Sequence, residues 1–341
     1  MRTRAAGPWT WARAALVVSG ALLALALLLA LAASYGASGV GLGALRDGRA
    51  WSDPAVRAIL FSVRLPRVAL AAVLGGALAV AGLAFQALLR NPLADPYVIG
   101  VSGGASLGGV LALLAGWGRF GSVVLPLAAL AGALGALTLI QWIASAGGRL
   151  AVGTLLLTGA VFNAFAAALI FFLESVASLE ELHAMVFYLM GRIPALAWRE
   201  IGALAGVTLA ASAVLLASAR DFNALGLGEE GAAALGVDVE RLKRRAFFAA
   251  SLLTAVAVAF AGLIGFVGLV VPHLLRLLFG ADHRLLVPLA LLCGGGFLVL
   301  ADLLARTLLA PNELPVGVVT ALVGGPFFLV LLRRRQGAYG G

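Results

Sequence analysis

Apolar residues in this chain come in long uncharged runs separated by short charged clusters. The runs cover 14–45, 68–89, 96–118, 120–148, 150–173, 201–219, 246–275, 285–301 and 314–332. Most approach the ~20 residues an α-helix needs to cross the hydrocarbon core of a membrane. The first run exceeds one helix, and Ser34-Tyr-Gly-Ala-Ser-Gly39 reads as its exit. The 246–275 run is interrupted at Gly262, Gly265, Gly268 and Pro272, so it divides into a span near 244–265 and a shorter one near 271–281. The pattern predicts an all-α polytopic membrane protein of about ten transmembrane helices, forming a single transmembrane domain over 1–341.

The stretch Arg64 to Gly109 organises the rest. Arg64-Leu-Pro-Arg67 opens an apolar run to Leu89, followed by Arg90-Asn-Pro-Leu-Ala-Asp-Pro96 and Gly100-Val-Ser-Gly-Gly-Ala-Ser106. Pro92 and Pro96 each remove a backbone donor and push Asn91 and Asp95 toward extended geometry. A long apolar helix therefore ends in a stiff polar tip, and a second starts a few residues on. Gly100, Gly104 and Gly108, at spacing four, predict a small-residue face for close helix approach in lipid.

Composition agrees: 62% of residues are hydrophobic and 11% charged, against about 25% charged in a soluble domain. The segment after Arg13 is apolar to residue 33, longer than the roughly 7–15 residues of a secretion-signal core, so it reads as a first transmembrane helix. Cys293 is the single cysteine, which excludes an internal disulfide. The net charge of +9 is an arginine excess, which in a membrane protein points to inner-side loops rather than nucleic acid. Starting inside, ten spans put 15 of the 24 basic residues on the inner side, including Arg90, Arg220, Arg241–Arg245 and Arg333–Arg335. Arg46, Arg49, Arg57, Arg64, Arg67, Arg119, Arg192, Arg199 and Arg306 fall outside. This bias puts both termini inside.

Ala79-Val-Ala-Gly-Leu-Ala-Phe85 is echoed by Ala259-Phe-Ala-Gly-Leu-Ile-Gly-Phe266, in spans of opposite direction, the pattern of an inverted repeat. The stretch 220–245 is the substantial inner-side insert. Glu229 and Glu230 suit the first turn of a short helix, Gly236 its end, and Asp238 the start of another. The first helix is too short to hold in water without something to dock on.

The chain contains no Gly-x-x-x-x-Gly-Lys-[Ser/Thr] loop, and its sole lysine, Lys243, lies in Arg241-Leu-Lys-Arg-Arg245. It cannot bind a nucleotide in the Walker manner. The spans also lack the chain of carboxylates and histidines that ion-coupled carriers use. Glu174 and Asp302 sit near span ends, and Asp302 can pair with Arg306 one turn on. Gly100-Val-Ser-Gly103 matches the string of intramembrane serine proteases, with His273 as an imaginable base, but such a string is cheap among 44 glycines. Ser102 reads as a packing residue, and His183, His273 and His283 as isolated helix-end or loop histidines. Catalytic and metal-ligating residues are not expected. The rivals are that protease and a self-sufficient secondary carrier.

Taken together, the motifs from Arg64 to Ser106 with Gln86, Gly265-Phe-Val-Gly-Leu-Val-Val-Pro-His273, Asp282-His-Arg284 and Glu313-Leu-Pro-Val-Gly317 resemble the FecCD family over about residues 10–333. These are permease subunits of ATP-driven importers for iron–siderophore complexes, haem and cobalamin. The resemblance implies a type II ABC importer architecture in a bacterial or archaeal cytoplasmic (inner) membrane. It also implies a homodimer, two cytoplasmic ABC ATPase subunits carrying the ATP and Mg, and a periplasmic or lipid-anchored substrate-binding protein. No cofactor is implied in this chain itself. By the same resemblance, Arg64, Arg67 and Arg306 receive acidic side chains of the binding protein. Asn91 and Leu93 match one part of a cytoplasmic gate, and Val152 and Gly153 the other, without the hydroxyl residues expected there. Gly228, Glu229, Glu230, Ala233, Leu235 and Gly236 match the coupling helices that sit on the ATPase.

Overall fold

A computed structural model describes residues 11–36, 40–121, 123–145 and 151–336. Arg2, Arg4, Arg149, residues 37–39 of the first exit and both chain termini lie outside the described residues.

The uncharged runs form helices. Seven of the described helices are long and apolar enough to cross a membrane. They include α1 (Trp11–Ser34), α2 (Leu65–Leu88), which a short helix and a wide π-type turn extend back to Pro54, and α4 (Val124–Ala144). Three more apolar helices are shorter: α3 (Val101–Leu114), α11 (Val267–Phe279) and the apolar part, Val316–Val330, of α13 (Val316–Gln336). The remaining long ones are α5 (Val152–Val176), α7 (Trp198–Ala217), α10 (Val239–Ala261) and α12 (His283–Thr307). The ten expected spans thus correspond to ten apolar helices. The 96–118 run, though, yields only the 14 residues of α3, because residues 96–100 go into a tight turn and 117–120 into a 3₁₀ turn.

Helix α2 is the axis of the bundle. Most of its residues are buried and none is fully exposed, and it packs against α10, α11 and α12. Pro66, which cannot donate to the carbonyl of Ser62, sits at the start of α2 directly after the π-type turn Ile59–Arg64. Further along, Gly82 meets Gly268 so closely that a Cβ at position 82 would overlap the Gly268 backbone carbonyl. The first echoed stretch therefore meets α11 two residues beyond Phe266, where the second one ends. At the far end the tip forms as its prolines dictate. Arg90 takes a positive φ of 48°, Asn91 Oδ1 accepts from Leu93 N at 2.9 Å, and Asp95 Oδ1 accepts from Tyr97 N at 2.8 Å.

The small-residue face is present but starts later than expected. Gly104 and Gly108 press on Gly132 and Ala128 of α4, whereas Gly100 lies in the turn before α3 with φ 89° and faces Ile140 and Gly159. The spacing of four was right for two of the three; the proline-rich tip claims the third.

The division of the 246–275 run is real and sharper than its glycines imply. α10 stops at Ala261, and α11 begins at Val267 after Phe266 with φ 69°. Backbone that leaves the helix inside a membrane protein must find partners within the protein. Here Tyr97 Oη donates to Ile264 O at 2.8 Å and accepts from Ile264 N at 3.0 Å, while Arg192 N donates to Ala261 O at 2.8 Å. Tyr97→Phe orphans both Ile264 groups, at about 1–3 kcal/mol. A thermal midpoint lowered by several degrees in the purified variant is the expected outcome, and an unchanged midpoint would contradict this role.

Two features escape the hydrophobicity pattern. Short helices at Gly43–Arg46, Arg49–Ser52 and Pro54–Ala58 follow α1, and α6 (Leu179–Leu189) lies between α5 and α7. The start of α6 is a capping box between Ser178 and Glu181, a signal legible as Ser-x-x-Glu.

Candidate functional site

Three of the nine arginines predicted on the outer side, Arg64, Arg67 and Arg306, gather at one end of the bundle, two of them on a single carboxylate. Asp302, 1% exposed, is held by Arg306 Nε at 2.9 Å one turn along α12 and by Arg67 Nε at 2.9 Å from the start of α2. Arg67 Nη1 reaches Glu313 at 2.7 Å. Other arginine donors go to carbonyls at and just past the end of α1. Arg64 donates to Ala33 O at 3.3 Å, and Arg306 to Ala32 O at 3.3 Å and Tyr35 O at 3.2 Å. A helix C-terminus leaves such carbonyls without intrahelical partners and carries partial negative charge, so guanidinium groups fit there.

The structure thus brings Arg64, Arg67 and Arg306 together, with Arg64 and Arg306 both buried. Arg64 and Arg306 bind the end of helix α1 within this protein. The Arg67–Glu313 pair borders a cavity of about 650 Å³ whose walls include Arg192, Phe187 and Leu314. On the same end, Trp198 Nε1 donates to Phe61 O at 3.1 Å.

The opposite end carries the insert. It comprises α8 (Ala219–Leu225), α9 (Glu229–Ala234) and the start of α10. Glu229 and Glu230 occupy the first turn of α9, and Gly236, with φ 85°, lies just past its end. Asp238 caps α10, accepting from Arg241 N at 3.0 Å, so the helix that starts there is the long α10 and not a second short one.

Two anchors that sequence reading missed fix the insert. Lys243 Nζ, nearly buried, lies 2.6 Å from Glu229 and 3.2 Å from Glu240. Asn223 Nδ2 donates to Asp282 Oδ1 at 2.8 Å, and Asn223 Oδ1 accepts from His283 N at 2.9 Å. Burial alone would raise the Asp282 carboxyl, but hydrogen bonds from Arg284 and Asn223 hold it down at about 2. A depressed carboxylate contributes stability above its ordinary pKa near 3.8 and loses it as pH falls through about 2. The anchor is therefore intact at neutral pH. Asp282-His-Arg284 was visible as a motif; its partner Asn223, 59 residues away, was not.

With the insert so pinned, Glu230, Ala233, Leu235 and Gly236 face outward, Leu235 at 65% exposure and nearby Leu227 at 72%. Gly228 is half-buried with the Arg90 guanidinium beside it, linking the insert to the α2 tip. Of the expected gate residues, Asn91 and Leu93 form that tip. Val152 and Gly153 open α5, which packs on the tip's outgoing turn where Gly159 meets Ile99.

Between the ends, a cavity of about 420 Å³ is bounded by Tyr97, Ser106, Asn163, Phe171 and Leu189. Ser102 Oγ donates to Tyr97 O at 3.2 Å, as does Asn163 Nδ2 at 2.8 Å. These polar groups brace the turn before α3. Among the described residues, no group of three or more His, Cys, Asp or Glu side chains could hold a metal ion.

Among the described residues ten apolar helices surround one buried axis, with an arginine-bound carboxylate at one end and a short pinned helix at the other, and the match of this bundle to known permeases makes it a multi-pass membrane permease of the ABC type. The chain belongs to the FecCD transport family, whose model matches residues 21–334. It is 46% identical to the cobalamin import system permease protein BtuC of Halobacterium salinarum, over 82% of this chain and 74% of that one. It is 40% identical to the hemin transport system permease protein HmuU of Yersinia pestis, over 93% and 95% of the two chains. A solved structure described as a metal-chelate type ABC transporter in an inward-facing conformation superposes with a TM-score of 0.84 at 32% identity, covering 94% of this chain and 99% of that one.

Proposed function

We propose that this chain is the permease subunit of a binding-protein-dependent importer of a metal chelate of the cobalamin, haem or iron–siderophore class. Two copies form the pathway, with both termini on the cytoplasmic side and two ABC ATPase subunits, which carry the ATP and Mg, on the insert ends. The observation that carries this reading is the insert itself. A six-residue helix turns exposed Glu230, Ala233 and Leu235 away from the membrane domain, and Lys243 and Asn223 tie it rigidly to α10 and α12. Such a helix transmits a push from a partner instead of absorbing it. ATP-driven closure of the ATPase pair moves the insert and alternates which end of the pathway is open.

Lys243→Met leaves Glu229 without its ammonium and loosens α9. Transport by the assembled complex should fall at least fivefold while basal ATP hydrolysis persists, measured as uptake into proteoliposomes against ATPase rate. Unchanged uptake would show that this clamp carries no coupling.

At the other end, the binding protein's acidic side chains engage the arginine cluster by displacing Glu313, half-exposed on Arg67. The rigid fork of Arg67 accepts one carboxylate as well as another. Glu313→Gln should therefore tighten binding-protein association about threefold to tenfold, the equivalent of about 1 kcal/mol. Reversal of Arg64 and Arg67 to Glu should abolish stimulation of ATP hydrolysis by the binding protein. Unaltered affinity in Glu313→Gln would move the docking site elsewhere. The cargo is read by which chelate quenches the fluorescence of the partner binding protein.

A further inference from the structure

A cavity of about 820 Å³ forms a groove between α7 and α10 at the insert end, away from the arginine–carboxylate cluster and the central cavity. Its α10 wall is one stripe at helical spacing, Arg241, Arg244, Arg245, Phe248, Ala249 and Leu252. The stripe is basic for its first turn and apolar for the rest, and α7 faces the apolar part with Val207, Ala210 and Val214. From Arg241 to Leu252 is about 16 Å along the axis. The rim also holds Asp238 and Glu240, but Asp238 is drawn to Arg241 at 3.3 Å and Glu240 to Lys243 at 3.2 Å. Arg241, Arg244 and Arg245 are all exposed.

From this geometry we infer that the groove is a binding site for one anionic phospholipid. Its phosphodiester sits among the three guanidiniums, and an acyl chain runs along Phe248, Leu252 and Val207. The charge step fits this occupant and not a soluble partner. The apolar length of the groove belongs to two helices that continue uncharged through the membrane, where an acyl chain reaches and a water-soluble protein surface does not. Basic pockets between transmembrane helices are suited to anionic headgroups, and each arginine near the surface adds to the attraction. The lipid would lie against the segment that leads directly into the insert.

The test uses the purified full-length permease with its ATPase, mixed with equal amounts of phosphatidylglycerol and phosphatidylcholine of the same acyl chains, and counts retained lipid by native mass spectrometry. Wild type should keep one phosphatidylglycerol per chain, favoured about tenfold over phosphatidylcholine. Replacing Arg241, Arg244 and Arg245 with Gln should bring the two lipids to parity, while Lys at all three positions should retain the preference, which guards against misfolding of the Gln variant. Ala210→Trp, at an exposed position of α7, fills the groove and should remove the retained lipid without loss of the folded complex. Parity in the wild type would overturn the proposal, as would a persistent preference in the Gln variant or lipid retention in Ala210→Trp. So would a Gln variant that keeps its phosphatidylglycerol but sheds the ATPase, because the arginines would then be an ATPase contact.

Discussion

Asp302→Ala should be among the most damaging single substitutions in this chain. The carboxylate is buried between Arg67 and Arg306, and its removal leaves two like charges facing each other with only Glu313 nearby. Breaking a buried ion pair by deleting one partner costs about 3–5 kcal/mol, because the remaining charge stays desolvated and uncompensated. The loss reaches further than the pair, since Arg306 also caps the last carbonyls of α1. A steep fall in thermal midpoint and in yield of monodisperse protein is expected. The double variant Asp302→Ala with Arg306→Leu should recover part of that loss by removing one of the stranded charges. A single variant as stable as wild type would mean that water or lipid phosphate already satisfies these arginines.

The second large effect is steric. A Cβ on Gly82 collides with the Gly268 backbone carbonyl, which has no rotamer by which to move away. Gly82→Val therefore has to push α11 off α2 along the axis of the bundle. Overpacking of this kind exceeds the usual 1–3 kcal/mol and belongs with rare changes above about 4 kcal/mol. Fluorescence-detected size exclusion of membranes should find little folded protein. Gly135→Ala is the control, because nothing lies within 4 Å of a Cβ there; its profile should match wild type. Equal profiles for Gly82→Val and the control would refute the close crossing.

The helices were legible because membrane crossing imposes a one-dimensional rule on composition. Ten apolar segments, the broken 246–275 run and the Asn91–Asp95 tip all follow from local residue chemistry. The missed elements are those governed by other rules: α6 begins at a capping box and not at a hydrophobicity edge, and the short helices after α1 follow no long apolar run. Asp302–Arg306 was visible at one-turn spacing, but Arg67–Asp302 spans 235 positions, and no local pattern announces it. For the same reason the arginines read as an outward array when their donors also serve α1, α12 and the Glu313 loop. The boundaries of α9 were set by its own glutamates and glycine. The Lys243 and Asn223 anchors, which give that helix its mechanical use, are tertiary facts.

The clamp on α9 has a practical corollary. Lys243 is the one lysine in 341 residues, so its ammonium is the chain's single amine on a side chain, and it is sheltered in an ion pair. Amine-acylating reagents thus find one internal target, and its rate of labelling is a built-in clock for how often the short helix lifts away.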